Sequence, residues 1–286
     1  MQPVPRFVAA MALWSPAQSH RAALGLVGVL ALAASAVWLS WGAPTERALW
    51  ISLAVLAASL VSSIAGFAFS AICGAMLFHL VDDPVRAVQI MMVCSVGGQT
   101  VMVWALRREI AWRALAIFLA GAALGLPLGI FVLLHARPAL YVQGVGALIV
   151  LYAVFMMARR PATLQRQSAL FDAVAGFLGG VTGGAAAFPG AFVTIWCGFK
   201  GWSKEKQRAL YQPFILVVQL AAIVLMALPG MVPQGRPGFV FDGVVHLPAM
   251  LLGVAMGMAF FKRLSDRQFS LAVNLLLIVS GLSLLV

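Results

Sequence analysis

The chain has 286 residues, 63% of them hydrophobic and 9% charged, with a formal net charge of +11. Soluble domains keep about a quarter of their residues charged, so this composition excludes a soluble globular fold and points to an all-α polytopic membrane protein. The basic residues stand singly or in small groups at the ends of apolar runs, which sets aside nucleic-acid binding, and the period-2 pattern of a transmembrane barrel is absent.

In chain order, the first apolar run after Arg21 is "AALGLVGVLALAASAVWLSW". It exceeds the roughly 7–15 residues of a signal-peptide core and is predicted to span the membrane over 22–41. Residues 1–47 are therefore read as a tail plus an extra transmembrane helix. Ordinary spans follow at 87–106, 114–135, 138–158, 209–230, 240–261 and 268–286, each close to the roughly 20 residues that cross a ~30 Å apolar core. Two segments do not fit. As single helices, 48–81 would be about 51 Å long and 171–199 about 43 Å, too long for one crossing and too short for two with a turn.

Charge placement arbitrates. If all nine segments cross once, the 19 Lys and Arg residues divide 11 to 8 between the two sides. If both odd segments are hairpins returning to their side of entry, only Arg47, Arg86, Arg137 and Arg236 fall on one side and fifteen on the other. Retention of Lys and Arg on the cytoplasmic side then favours two hairpins, with the N-terminus inside and the C-terminus outside. A hairpin at 171–199 alone gives 14 to 5, so charge supports the second hairpin strongly and leaves the first open.

Repetition speaks for the first. Each odd segment precedes three ordinary spans, giving a first repeat at 48–158 and a second at 171–286. Shifted by 117 residues, Ser62, Gly66, Ser70 and Gly74 fall on Gly179, Gly183, Ala187 and Ala191. In the hairpin reading the two copies have opposite orientation, and inverted repeats with interrupted helices are a mark of secondary transporters.

The stretch "GFLGGVTGGAAAFPGAF", 176–192, holds six glycines and a proline in seventeen residues. Gly176, Gly180 and Gly184 form a small-residue stripe of the kind that lets helices pack closely, but packing alone leaves Pro189 unexplained. The functional reading places a hairpin tip at 183–188, with Pro189 opening a short second arm over 189–199. Ser70 is the corresponding predicted N-cap of an arm over 71–81. Two helix N-termini at mid-depth, facing one cavity, would make an anion site. In that reading Gly183 and Gly184 let the backbone open toward the anion, and Gly176, off the tip, tolerates Ala.

Every Asp and Glu (Glu46, Asp82, Asp83, Glu109, Asp172, Glu205, Asp242 and Asp266) lies at or near a span end. That leaves no intramembrane carboxylate to hold Na⁺, a metal or a cationic drug, so the substrate is expected to be a small anion. Its candidate ligands are Ser62, Ser63, Gly66, Ser70, Gln89, Gln99, Thr182, Gly183, Gly184, Pro189, Gln212 and Gln219, with Ser95 and Thr100 as further polar positions. Ser and Thr in apolar helices commonly bond back to their own carbonyls; Gln is less readily satisfied that way. His79 and His246 could carry a coupling proton. Cys73, Cys94 and Cys197 show no paired spacing and read as buried small hydrophobes. No catalytic, metal-ligating or cofactor-binding set is recognisable, which argues against an enzyme.

"GFLGGVTGGAAAFPGAF" followed by "GFKGWSKEKQRA" resembles the second-repeat signature of the TauE/SafE membrane permeases, and "SSIAGFAFSAICGAML…DDPVRA" is similar to the matching first-repeat segment. The likeness covers about 48–286. It implies export or uptake of sulfite, organosulfonates and related anions, and carries over to Gly179, Gly180, Thr182, Gly183, Gly184, Pro189 and Arg208. The first repeat departs from it, with Phe67, Ala68 and Phe69 where the family has three glycines. The sequence thus reads as a secondary transporter of small anions in a bacterial inner membrane, working by alternating access, with protons as the candidate coupling ion and no nucleic-acid partner. The alternative is a non-transporting accessory or assembly subunit, and the oligomeric state is left open.

Overall fold

The structure is a computed structural model and describes residues 46–65, 68–158, 168–230, 241–260 and parts of 274–285. The span expected at 22–41 and the tip residues Gly66 and Phe67 lie outside the described residues, as does most of the span at 268–286. The described chain is helical, with no strand in it. In order, the helices are α1 (Glu46–Ala65), α2 (Phe69–Leu80), α3 (Pro84–Leu106), α4 (Trp112–His135), α5 (Pro138–Ala158), α6 (Ala169–Ala186), α7 (Gly190–Phe199), α8 (Lys204–Ala227) and α9 (Leu247–Phe260). A 3₁₀ turn over Phe241–His246 leads into α9. Helices α1, α3, α4, α5, α6 and α8 are long and apolar enough to cross a membrane, and large apolar side chains such as Leu124, Leu151 and Val224 cover their outer faces.

Both odd segments are broken, and both return. In the first, Arg47 at the start of α1 pairs at 2.8 Å with Asp82, just past the end of α2. In the second, Lys200 after α7 pairs at 2.8 Å with Asp172 in the first turn of α6. A single crossing would hold these residues a full membrane apart. The two pairs therefore make each segment a hairpin whose open end is tied shut, including the first, which charge counting left open.

Other contacts sort the helix ends onto two faces. Asp83, Pro84 and Val85 share a small pocket with Leu133, Ala136 and Pro138, so the α2–α3 and α4–α5 connections lie together. On the opposite face, the ring of Phe118 near the start of α4 lies 5.9 Å from Lys200, and Phe155 at the end of α5 meets Phe199 at the end of α7. Local caps set the turns. Asp83 accepts from the Val85 amide with Pro84 opening α3, and Ser168 and Ser203 cap α6 and α8.

The first arm of each hairpin packs most extensively on a helix of the other half: α6 on α4, and α1 on α9. The α4–α6 contact is backbone against backbone. A Cβ on Gly184 would lie 2.6 Å from the Leu126 carbonyl oxygen, and one on Gly176 would overlap the Phe118 carbonyl. Gly121, Gly125 and Gly129 meet the α6 backbone in the same way from the other side. This corrects the expectation that Gly176 tolerates Ala while Gly183 and Gly184 open the chain. All three are helical, and Gly176 is as tightly packed as Gly184. The left-handed residue at the break is Ala187, with φ 52°. The expected capping role of Ser70 is also corrected: Ala68 holds the N-cap position of α2 without a side-chain hydrogen bond, and Ser70 lies inside the helix.

Candidate functional site

At the tip of the first hairpin, Ser62 and Ser63 of α1, Phe69 of α2, Ser95, Gly98, Gln99 and Met102 of α3, Gln212 of α8, and Met250 and Val254 of α9 line a cavity of about 30 Å³. That is room for roughly two or three waters, the scale of a small oxyanion rather than of a drug or a lipid. Helical rise places the cavity deep in the bundle. Ser62 is about 24 Å along α1 from Glu46, and Gln212 about 12 Å along α8 from the start of that helix at the opposite face. The break between α1 and α2 brings the N-terminus of α2 to the cavity at Phe69, where the first amides of a helix have no intrahelical partner.

Among the described residues, the lining contains no charged side chain. Ser62 donates to the Ser59 carbonyl at 3.2 Å and Ser63 to that of Leu60 at 2.9 Å. The Ser63 hydroxyl also lies where Gly257 of α9 leaves room for it. Gln99 is 9% exposed, and its side-chain oxygen is buried without a hydrogen bond. On α8, Tyr211 hydrogen-bonds the side chains of Arg208 and Gln212. The basic residue that the charged loop delivers to this helix therefore acts one turn away from the cavity.

Of the residues expected from sequence, the structure brings Ser62, Ser63, Gln99 and Gln212 together, with Ser95 beside them. Ser70, Gln89, Thr182, Gly183, Gly184, Pro189 and Gln219 are not in this lining, and Gly66 lies outside the described residues. Several of these have structural partners. Thr182 donates to the Leu178 carbonyl at 3.0 Å. A Cβ on Gly183 would lie 2.7 Å from the Val218 side chain and 2.9 Å from that of Pro189. Gln219 donates to the Ala187 carbonyl at 3.0 Å, steadying the left-handed turn, while its own oxygen is buried without a hydrogen bond. Around the same tip, the Tyr141 hydroxyl donates to the Ala185 carbonyl, and Tyr152 and Thr194 share a hydrogen bond of 3.1 Å. Of the two hairpin tips expected to face one cavity, only the first contributes to this lining, through Phe69. The second tip is packed among α4, α5 and α8 instead.

Sequence reasoning missed Phe69, Gly98, Met102, Met250 and Val254, because an apolar residue in an apolar span carries no signal of facing a cavity. It also missed the buried cluster at the base of the second hairpin. There Asp172 accepts from Trp196 at 2.6 Å and from Lys200 at 2.8 Å. Its signal was available: two opposite charges flanking an over-long apolar segment.

Searches of curated proteins and of solved structures each find no match. A family model described as "Sulfite exporter TauE/SafE" matches residues 50–284. That range takes in both hairpins, every described helix that lines the cavity, and most of the chain. The chain belongs to the TauE/SafE family of membrane transporters.

Proposed function

We propose that the chain is a secondary transporter of small anions, such as sulfite, organosulfonates or related sulfur-containing or carboxylate anions, across a bacterial inner membrane. The observation that carries this reading is a small cavity deep in the bundle, part polar and part apolar, with no carboxylate among the described residues that line it. Acidic side chains inside a bundle commonly mark cation pathways, and none is among the described lining residues. A small anion can be held by hydroxyls, amides and the N-terminus of α2. Gln219, Thr182, Gly183, Gly184 and Pro189 then belong to a second, separate half-site at the other hairpin tip, reached as the bundle changes state, whereas Gln89 stands on α3, outside the helices packed on that tip.

Alternating access in this reading exchanges two inverted repeats, 48–158 and 171–286. Its support is the crossed packing, in which each hairpin leans on the opposite half through α1–α9 and α4–α6. The two contacts differ in kind. On α4–α6, glycines interlock from both sides; on α1–α9, Gly253 and Gly257 meet Ser59 and Ser63. The experiment is flux into sealed vesicles holding purified protein. Sulfite, a sulfonate or a small carboxylate should enter saturably, and Na⁺ and divalent metals should not. Metal flux without anion flux, or no flux of any of these, would overturn the proposal, and the second result would favour an accessory subunit.

A further inference from the structure

We infer that the cavity takes its anion in protonated form, a monoanion that carries a hydrogen-bond donor such as hydrogen sulfite, in preference to a dianion or a donor-free sulfonate. This rests on the anion-transport reading above and specifies its substrate. The hydroxyl protons of Ser62 and Ser63 are committed to the carbonyls of Ser59 and Leu60. What those two oxygens offer a ligand is therefore lone pairs. Gln99 adds an amide oxygen that is buried without a donor, a costly state for a polar atom that a ligand proton would relieve. The same lining also holds groups able to donate, the side-chain amides of Gln99 and Gln212 and the Ser95 hydroxyl, and the first amides of α2 have no partner within their own helix. A lining that mixes donors with acceptors suits a ligand with negative charge at one end and an acidic hydrogen at the other. A fully ionised oxyanion would meet lone pairs at the Ser62 and Ser63 hydroxyls and at the Gln99 oxygen.

The consequence is a source of proton coupling that needs no titrating side chain, because the substrate brings its own proton. Titratable groups on the surrounding elements include Cys73 and His79 on α2, Arg86 and Cys94 on α3, Arg208 and Tyr211 on α8 and His246 before α9. None of them lines the cavity. His246 is engaged at 2.8 Å with Ser52, ten residues before Ser62 and so about 15 Å away along α1. Hydrogen sulfite and sulfite interconvert near neutral pH. Each hydrogen sulfite that enters an alkaline lumen releases one proton there and leaves sulfite behind.

The test uses the full chain in proteoliposomes with a pH-sensitive dye inside, at fixed total sulfite and equal pH on both sides. On the alkaline side, initial sulfite flux should fall about tenfold per pH unit, the slope of one titrating proton, and entry should acidify the lumen. Methanesulfonate has the same charge as hydrogen sulfite but no donor, and it should compete at least tenfold more weakly. Gln99→Leu should shrink that preference several-fold, and His246→Gln should leave the pH profile unchanged. The wild-type pH and competition data stand even if Gln99→Leu folds poorly. Flux independent of pH, equal competition by methanesulfonate, or a profile abolished by His246→Gln would overturn the inference while leaving anion transport intact. Absence of anion flux at every pH would overturn both.

Discussion

Ala187 shows how a residue with no chemistry of its own decides a backbone path. It is fully buried and left-handed, a conformation that an L-residue with a Cβ adopts at a cost of about 1–2 kcal/mol. Gln219 holds it there through its carbonyl. Ala187→Gly should stay near wild-type stability, since relief of that strain offsets the lost methyl, whereas the β-branched Ala187→Val should lower the thermal midpoint in detergent. Gly184 and Gly176, about one and three turns earlier, work by absence. Gly176→Ala and Gly184→Ala each press a methyl into the α4 backbone and should both destabilise by about 1–3 kcal/mol, the cost of overpacking. If Gly176→Ala were silent, the packing described for α4 and α6 would be wrong. At the cavity, Ser95→Ala and Gln99→Leu should weaken anion flux with the midpoint little changed, measured on protein that elutes as a single species.

The hairpins are tied at their open ends by two ion pairs of very different worth. The side chains of Arg47 and Asp82 are 62% and 84% exposed, where a pair contributes at most about 1 kcal/mol. Those of Lys200 and Asp172 are 6% and 9% exposed, and Trp196 adds a further donor. Removing one partner strands a buried charge, at a cost of about 3–5 kcal/mol. Asp172→Asn should therefore lower the midpoint strongly and Asp82→Asn hardly at all. Restoring stability in Asp172→Asn by adding Lys200→Met would identify the stranded ammonium as the cause. Comparable midpoints for Asp172→Asn and Asp82→Asn would mean that Lys200 reaches solvent.

For the whole molecule, the two ion pairs and the sorting of helix ends onto two faces put the end of α5, the start of α6 and the 200–203 connection on one side. Single cysteines at Gln165 and Ser203, in a background with Cys73, Cys94 and Cys197 replaced, should be labelled by an impermeant thiol reagent from the same side, which the fifteen-to-four distribution of Lys and Arg makes cytoplasmic. Labelling from opposite sides would remove the second hairpin and the crossed packing with it. A cysteine at Arg137, exposed at the other face, should give the opposite result.

Much of this was legible in the sequence. Apolar runs of spanning length fixed where helices 84–106, 112–135 and 138–158 lie, because a backbone in lipid has few ways to satisfy its hydrogen bonds other than as a helix. Anomalous length, charge asymmetry and Pro189 located the start of the second arm to within a residue, while the first arm runs helical to Ala186, four residues beyond the end expected for it. Ser62, Ser63, Gln99 and Gln212 stood out because polar side chains in an apolar span need a reason. Periodicity could not say which neighbour each helix faces. The glycines of 176–184 were open to two readings until α4 supplied the backbone they press against. Whether a serine offers a proton or a lone pair to a ligand depends on the carbonyl one turn earlier and on the helix opposite. Only the tertiary structure, by setting α1 on α9 and α6 on α4, decided that one hairpin tip opens on a cavity while the other is packed shut.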